Sequence, residues 1–338
     1  MKFIHTGDIH LDSKSNHKAV KTTFSRMADY AAENSVRAIL IAGDLFDGDK
    51  PAENILAFVR SVIASHTGVD FIYLPGNHDR KLSEVFNMPN FFTFGDSWSS
   101  YSYDNVLISG IVLDTDNSEE YYSTLDLPFD KVNVVMLHGQ VGESVNIAKI
   151  ANHNIDYLAL GHVHYHSDEV IDERGNYAYC GCPEPRGFDD CGEEKGFVLL
   201  DVAESGKVTS SFVDFSERKY HEITVDVSDC ETLNDIVQKC TDAAAFSSKD
   251  AVNLILTGEV TADCVDADNV IASAFEGRFF GCRVKNQTSV KIDPADFDGD
   301  TTLRGAFVRT IFEDNTLDDE TRRAVLACGL AAISGGDF

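Results

Sequence analysis

At 338 residues, of which 43% are hydrophobic, the chain can bury one large core and a smaller one. Its 56 acidic residues against 28 Lys and Arg give a net charge of -28, which argues against strong unaided binding to nucleic acid, because that affinity comes from cations displacing counterions. No apolar run approaches the roughly 18 residues of a membrane span, no basic-then-apolar leader precedes the first strand, and the eight cysteines include no Cys-x-x-Cys pair, so a cytoplasmic protein with reduced thiols is expected.

In chain order, residues 3–5 form an apolar strand that runs into Gly7, Asp8, Ile9 and His10. Residues 16–34 read as a helix with Ala19, Val20, Phe24, Met27 and Ala31 on one face. Strand 38–42 leads into Gly43-Asp44-Leu45-Phe46-Asp47, and helix 51–65 follows, opened by Pro51 at its first turn. Strand 71–74 leads into Gly76-Asn77-His78-Asp79, strand 132–137 into His138-Gly139, and strand 157–160 into Gly161-His162-Val163-His164. Further strands are expected at 106–112, 169–172, 177–180, 196–202 and 207–215.

The pattern changes around residues 215–220. Strand 221–227, helix 231–245, strand 252–259, helix 266–275 and strand 280–284 form a small α/β unit. After an acidic turn at 293–300, residues 302–312 and 318–333 read as helices, with Leu317, Val325, Leu326, Leu330 and Ile333 apolar on the second. The expected division is therefore 1–218, 219–292 and 293–338.

Taken singly, each polar cluster is ambiguous: Gly-Asp-x-x-Asp and Gly-Asn-His-Asp are good turn sequences, because Gly and Asn tolerate positive φ. Five such clusters in order, each at a strand end, are not explained by turns. In an α/β sheet, ligands bind beyond the carboxyl ends of the strands. Five strand ends would thus deliver Asp, His and Asn to one place, including five of the eleven histidines, with His5 as a possible sixth. Carboxylate and imidazole donors without thiolate suit manganese, iron, zinc or nickel. A pair of divalent ions can clamp a phosphoryl group for in-line displacement, and would compensate the repulsion between Asp8 and Asp44.

These five motifs resemble those of the calcineurin-like metallophosphoesterases over about the first two hundred residues. The resemblance implies a four-layer α-β-β-α sandwich with a small C-terminal α/β cap domain and terminal helices. It also implies that Asp8, His10, Asp44 and His164 hold one metal, and Asp44, Asn77, His138 and His162 the second, with manganese the expected ion at both. His78 would bind no metal and would face the substrate phosphate as general acid or transition-state donor. Asp79 is expected either to orient His78 or to serve as a turn or cap residue.

The opening Phe3 to Ser13 resembles the SbcD and YhaO-like DNA repair exonuclease branch. So does Tyr179-Cys180-Gly181-Cys182-Pro183-Glu184-Pro185-Arg186-Gly187-Phe188-Asp189, followed by Glu193-Glu194-Lys195-Gly196. Asp47 stands where many archaeal and eukaryotic relatives carry a second catalytic His, so generic phosphodiesterase chemistry transfers more safely than their exonuclease details. Asp47 and Arg186 are expected to face the substrate. The resemblance further implies action on DNA, a homodimer, and a partner of the SbcC-like coiled-coil ATPase type bound near the C-terminal helices. A small-molecule or nucleotide phosphoesterase is the alternative, which the acidic charge and Asp47 favour.

Overall fold

The computed structural model describes residues 1–12, 17–82, 86–113, 118–265 and 267–333; Ser13, Asn16 and Asp266, which fall within the segments expected from the sequence, lie outside them. The chain divides into two compact units, Met1–Lys219 and Tyr220–Phe338.

The first unit begins with β1 (Lys2–Thr6), α1 (His17–Glu33), β2 (Val36–Ala42), α2 (Glu53–Ser65) and β3 (Asp70–Leu74). Then come β4 (Phe91–Thr93), β5 (Ser99–Tyr103), β6 (Val106–Gly110), α3 (Ser118–Ser123), β7 (Val132–His138), α4 (Ile147–Ile150) and β8 (Tyr157–Gly161). It closes with β9 (His166–Val170), β10 (Asn176–Cys180), β11 (Gly196–Val202) and β12 (Val208–Asp214). Two six-stranded sheets result, in the orders β12-β11-β1-β2-β3-β4 and β5-β6-β7-β8-β10-β9. Strands β1 to β4 are parallel, as are β6, β7, β8 and β10. Their near-continuous apolar runs are what parallel strands covered on both faces require.

The layers follow from which side chains meet. Phe3, Leu40 and Ile72 of the first sheet pack with Ile108, Val134 and Met136 of the second. On the other face of the first sheet, Ile39, Ile41 and Phe71 meet Phe24 and Met27 of α1 and Ile55 and Val59 of α2. Outside the second sheet, Val135, Leu137 and Leu158 meet Tyr122 of α3 and Ile150 of α4. The order is helix, sheet, sheet, helix, each fully buried large aliphatic contributing roughly 1.5–3 kcal/mol.

Some boundaries move. Helix α2 starts at Glu53 with Ala52 as its N-cap, so Pro51 precedes the helix and does not occupy its first turn. The strand expected at 169–172 is β9, shifted toward His164, because the Asp172 carboxylate accepts from the amides of Arg174 and Gly175 and closes a turn there. Strand β5, Ser-Ser-Tyr-Ser-Tyr, is too polar to declare itself in the sequence.

In the second unit, β13 (Tyr220–Asp226), α5 (Leu233–Ala243), β14 (Ala251–Thr257), β15 (Glu259–Val260), α6 (Ala267–Ala274), β16 (Gly281–Asn286) and β17 (Ser289–Val290) follow one another. Strands β13, β14 and β16 form a parallel sheet, and β15 pairs separately with β17. A capping box opens α5: Thr232 Oγ1 accepts from the Asp235 amide, and the Asp235 carboxylate accepts from the Thr232 amide. Helices α7 (Leu303–Glu313) and α8 (Asp319–Ile333) end the described chain. Leu326 packs with Val308 and Phe297, while Ile333 remains 36% exposed. The apolar stripe of α8 is thus partly spent inside its own unit.

Candidate metal centre

The chain turns sharply wherever the motifs leave their strands. Asp8, His10, Asp44 and His162 all have positive φ, at 48°, 51°, 49° and 96°. Side chains with a Cβ rarely adopt this region, and such strain concentrates at functional positions. The loops after β1 and β2 are stitched together: Asp8 N donates to Gly43 O, His10 N to Asp44 O and Leu11 N to Leu45 O. The ends of the second sheet reach across. His138 Nδ1 lies 2.9 Å from Ala42 O, and the His162 amide donates to both carboxylate oxygens of Asp8, at 3.1 and 2.8 Å.

These turns bring the seven expected ligand residues together. His10 Nε2 is 3.3 Å from His164 Nε2, and Asp8 Oδ1 is 3.9 Å from the same His164 atom. Asp44 Oδ2 lies 3.7 Å from His10 Nε2 and 3.5 Å from His138 Nε2, between the two groups. Asn77 Oδ1 faces His138 Nε2 at 2.9 Å and His162 Nδ1 at 3.0 Å. Within the triads Asp8, His10, His164 and Asp8, Asp44, His138, one donor atom from each residue lies within 4.8 Å of the others; His10, Asp44 and His78 form a third such group.

Electrostatics match a cation site. Burial pushes the Asp8 carboxyl up to about 7, and a divalent ion would restore its ionised form. Burial and then the charge of Arg186 hold His10 down to about 3, and burial also lowers His162 and His164. Neutral imidazole is the form that ligates. Burial opposes ionisation of Asp44, but its hydrogen bond to His138 and the His138 charge outweigh it, bringing Asp44 to about 2. At His138 burial is outweighed by the hydrogen bond to Asp44 and the charge of Asp8, which raise it to about 9, so a cation bound there would displace the ring proton. The donor set of carboxylate, imidazole and amide oxygens, without thiolate, fits two hard-to-borderline divalent cations.

Around this group stand the remaining expected residues. His78 is exposed, its ring edge-on to His10 with centroids 4.8 Å apart, and its amide donates to Asp44 Oδ1 at 2.9 Å. Asp79 is fully buried and does not orient it. Its Oδ2 accepts from the Phe46 amide and its Oδ1 from the Gly76 amide, at 2.9 and 2.8 Å, so it braces the loops after β2 and β3. The carboxylate beside the His78 imidazole is that of Asp47, whose Oδ1 lies 3.4 Å from His78 Nδ1, 3.3 Å from His10 Nδ1 and 3.6 Å from an Arg186 guanidinium nitrogen. The sequence put Asp47 at the site without anticipating this shared position. His5 belongs to the core, its ring nitrogens 3.0 Å from the Tyr157 hydroxyl and 3.2 Å from Leu160 O.

Glycines at the strand ends also matter, though ligand chemistry alone does not pick them out. A Cβ on Gly43, where φ is +92°, would fall 1.9 Å from His138 Nδ1, and one on Gly76 would fall 2.2 Å from Asp44 Oδ1.

Residues 1–166 match the family described as calcineurin-like phosphoesterase. The chain is 25% identical over 256 residues to the DNA double-strand break repair protein Mre11 of Methanopyrus kandleri, covering 63% of this chain and 57% of that protein. It is 25% identical to the uncharacterized metallophosphoesterase YhaO of Bacillus subtilis, covering 76% and 72%. To the SbcD component of the nuclease SbcCD from Escherichia coli K12 it is 26% identical, covering 62% and 67%. The chain therefore spans a little over half the length of the Methanopyrus relative. With five motifs meeting at the ends of parallel strands in two mixed sheets, residues 1–166 of this chain form a calcineurin-like metallophosphoesterase domain.

Proposed function

We propose that the protein is a two-metal phosphodiesterase acting on DNA, the nuclease component of a repair complex of the SbcCD type. The observation that carries the chemistry is the position of Asp44, whose Oδ2 lies within 3.7 Å of histidines from both donor groups, as a bridging carboxylate must. Asp8, His10 and His164 with Asp44 would hold one cation, and Asn77, His138 and His162 with Asp44 the other. Two such ions, manganese being the proposed pair, would supply Lewis-acid polarisation of the phosphoryl oxygens and charge compensation.

The protein's own groups do the rest. His78 Nδ1 is turned toward Asp47, so Nε2 is the nitrogen left to donate a proton to the departing alkoxide. Arg186 is 44% exposed and would meet the substrate phosphate beside His78. The likeness to Mre11 and to the SbcD component of SbcCD supports DNA as substrate and a coiled-coil ATPase as partner. The test is release of mononucleotides from DNA ends with manganese; inactivity on every DNA form, with or without partner, overturns the nuclease reading. The net charge of -28 favours a second reading, hydrolysis of small or cyclic phosphodiesters, which much faster turnover of those substrates than of DNA would establish.

A further inference from the structure

Between β10 and β11 the chain contains only a short 3₁₀ turn, Phe188–Asp190, yet it carries Arg186 to within 3.6 Å of Asp47. With so little backbone pairing, side-chain bonds must set the shape of this segment. One of them is a buried ammonium. The Lys195 side chain is 1% exposed. Its Nζ donates to His164 O at 2.8 Å, to Asp190 Oδ1 at 3.0 Å and to Glu193 Oε2 at 2.7 Å. Lysine has three such donors, and all three are used.

Each acceptor leads somewhere. His164 O is the backbone of a residue whose ring faces His10 and Asp8, and it also accepts from the Cys182 amide at 3.2 Å. Asp190 uses its other oxygen, Oδ2, to accept from the Arg186 amide at 2.6 Å. A single buried charge therefore ties the main chain beneath one side of the site to the main chain beneath the other.

We propose that Lys195 is a positioning residue for the hydrolysis: it sets His164 toward the cations and, through Asp190, sets Arg186 toward the substrate. The inference rests on the metallophosphoesterase reading above. Removing the ammonium leaves His164 O and two carboxylates short of a donor, and a partly buried acceptor without its partner pulls its backbone toward water. The affected backbones carry a metal ligand and a phosphate contact.

The test compares wild type with Lys195→Met, which keeps an unbranched chain without donors. Manganese is titrated calorimetrically into metal-free protein, and kcat and KM are measured on bis(4-nitrophenyl) phosphate. Lys195→Met is expected to weaken manganese binding about 10-fold or more, as loss of a group that orients a ligand does, and to raise KM several-fold. Residues acting through one another are non-additive. The manganese penalty should therefore disappear in a His164→Ala background and the KM penalty in an Arg186→Ala background. Asp190→Asn, which keeps an Oδ1 acceptor for Lys195 but replaces the oxygen that accepts from the Arg186 amide, should raise KM and lower manganese affinity less than Lys195→Met does; it carries the test if Lys195→Met does not fold. Unchanged manganese affinity and KM in these variants, with only the melting temperature lowered, overturns the proposal, as do penalties that persist in the double variants. A wild-type chain that takes up no manganese overturns the metal-centre reading itself, a result distinct from either of these.

Discussion

Asp44 and His78 are 2.9 Å apart through the His78 amide, yet they should behave differently on replacement. Asp44→Ala removes the carboxylate that lies between both donor groups, so both cations and all activity should be lost. His78→Ala removes the proposed proton donor and none of the proposed ligands, so metal content should hold while kcat falls roughly 10²–10⁴-fold. Elemental analysis beside steady-state kinetics separates the two, and equal metal loss in both variants would refute the division. Glu184 offers a test of electrostatics away from the ligands. It is buried, accepts hydrogen bonds from Thr23 and the Glu217 amide, and burial pushes its carboxyl up from 4.5 to about 6. The folded chain thus holds this proton more tightly than the unfolded chain. Its contribution is most favourable below 4.5 and declines as pH rises through 6, by roughly 2 kcal/mol. In Glu184→Gln this decline should vanish, so the stability difference between variant and wild type should change by that amount between about pH 4 and about pH 7. Denaturant titrations at the two pH values check it.

At the scale of elements, the site depends on two sheets keeping their registers against each other. Leu40 of β2 is fully buried between them, and Leu40→Ala should cost about 2–5 kcal/mol in a denaturant titration, through lost transfer energy and the cavity left behind. Gly43→Ala acts differently. It forces a side chain into a left-handed turn and against His138 Nδ1, so weakened metal binding should accompany its loss of stability. In the second unit the capping box of α5 can be tested alone: Thr232→Ala should cost about 1 kcal/mol and leave metal binding at wild-type strength.

For the whole molecule, charge dominates. A net charge of -28 repels both itself and a polyanion. The chain alone should therefore bind duplex DNA no tighter than the roughly 10⁻⁴–10⁻⁶ M of non-specific binding. Added salt should raise its melting temperature by screening charges beyond about 10 Å at 0.1 M. Fluorescence anisotropy on labelled duplex and thermal melts over a salt series measure both. Tight, steeply salt-dependent DNA binding by the isolated chain would contradict this expectation. If the proposed DNA substrate holds, a chain so acidic needs its grip from elsewhere, which is why a partner belongs to the proposal. No helix among the described residues is long and apolar enough to cross a membrane.

The strands that lead into the motifs are legible along the chain, because runs such as residues 38–42 and 132–137 must be buried on both faces and the polar residues after them must turn. So are the donor types: a chain offering Asp8, His10, Asp44, Asn77, His138, His162 and His164 in that order has chosen carboxylate, imidazole and amide chemistry. Local signals could not say what each remaining polar group touches. Asp79 follows His78 directly, yet its carboxylate turns inward to the Phe46 and Gly76 amides, while Asp47, distant in sequence, reaches the imidazole. His5 sits two residues before Gly7 and still belongs to the core, since a strand sends successive side chains to opposite faces. Lys195 gave no sign of its three acceptors, two of them on a segment whose one regular element is a short 3₁₀ turn. Periodicity and motif order are properties of neighbours along the chain. The partner of a buried charge is a property of the folded interior and has no counterpart along the chain.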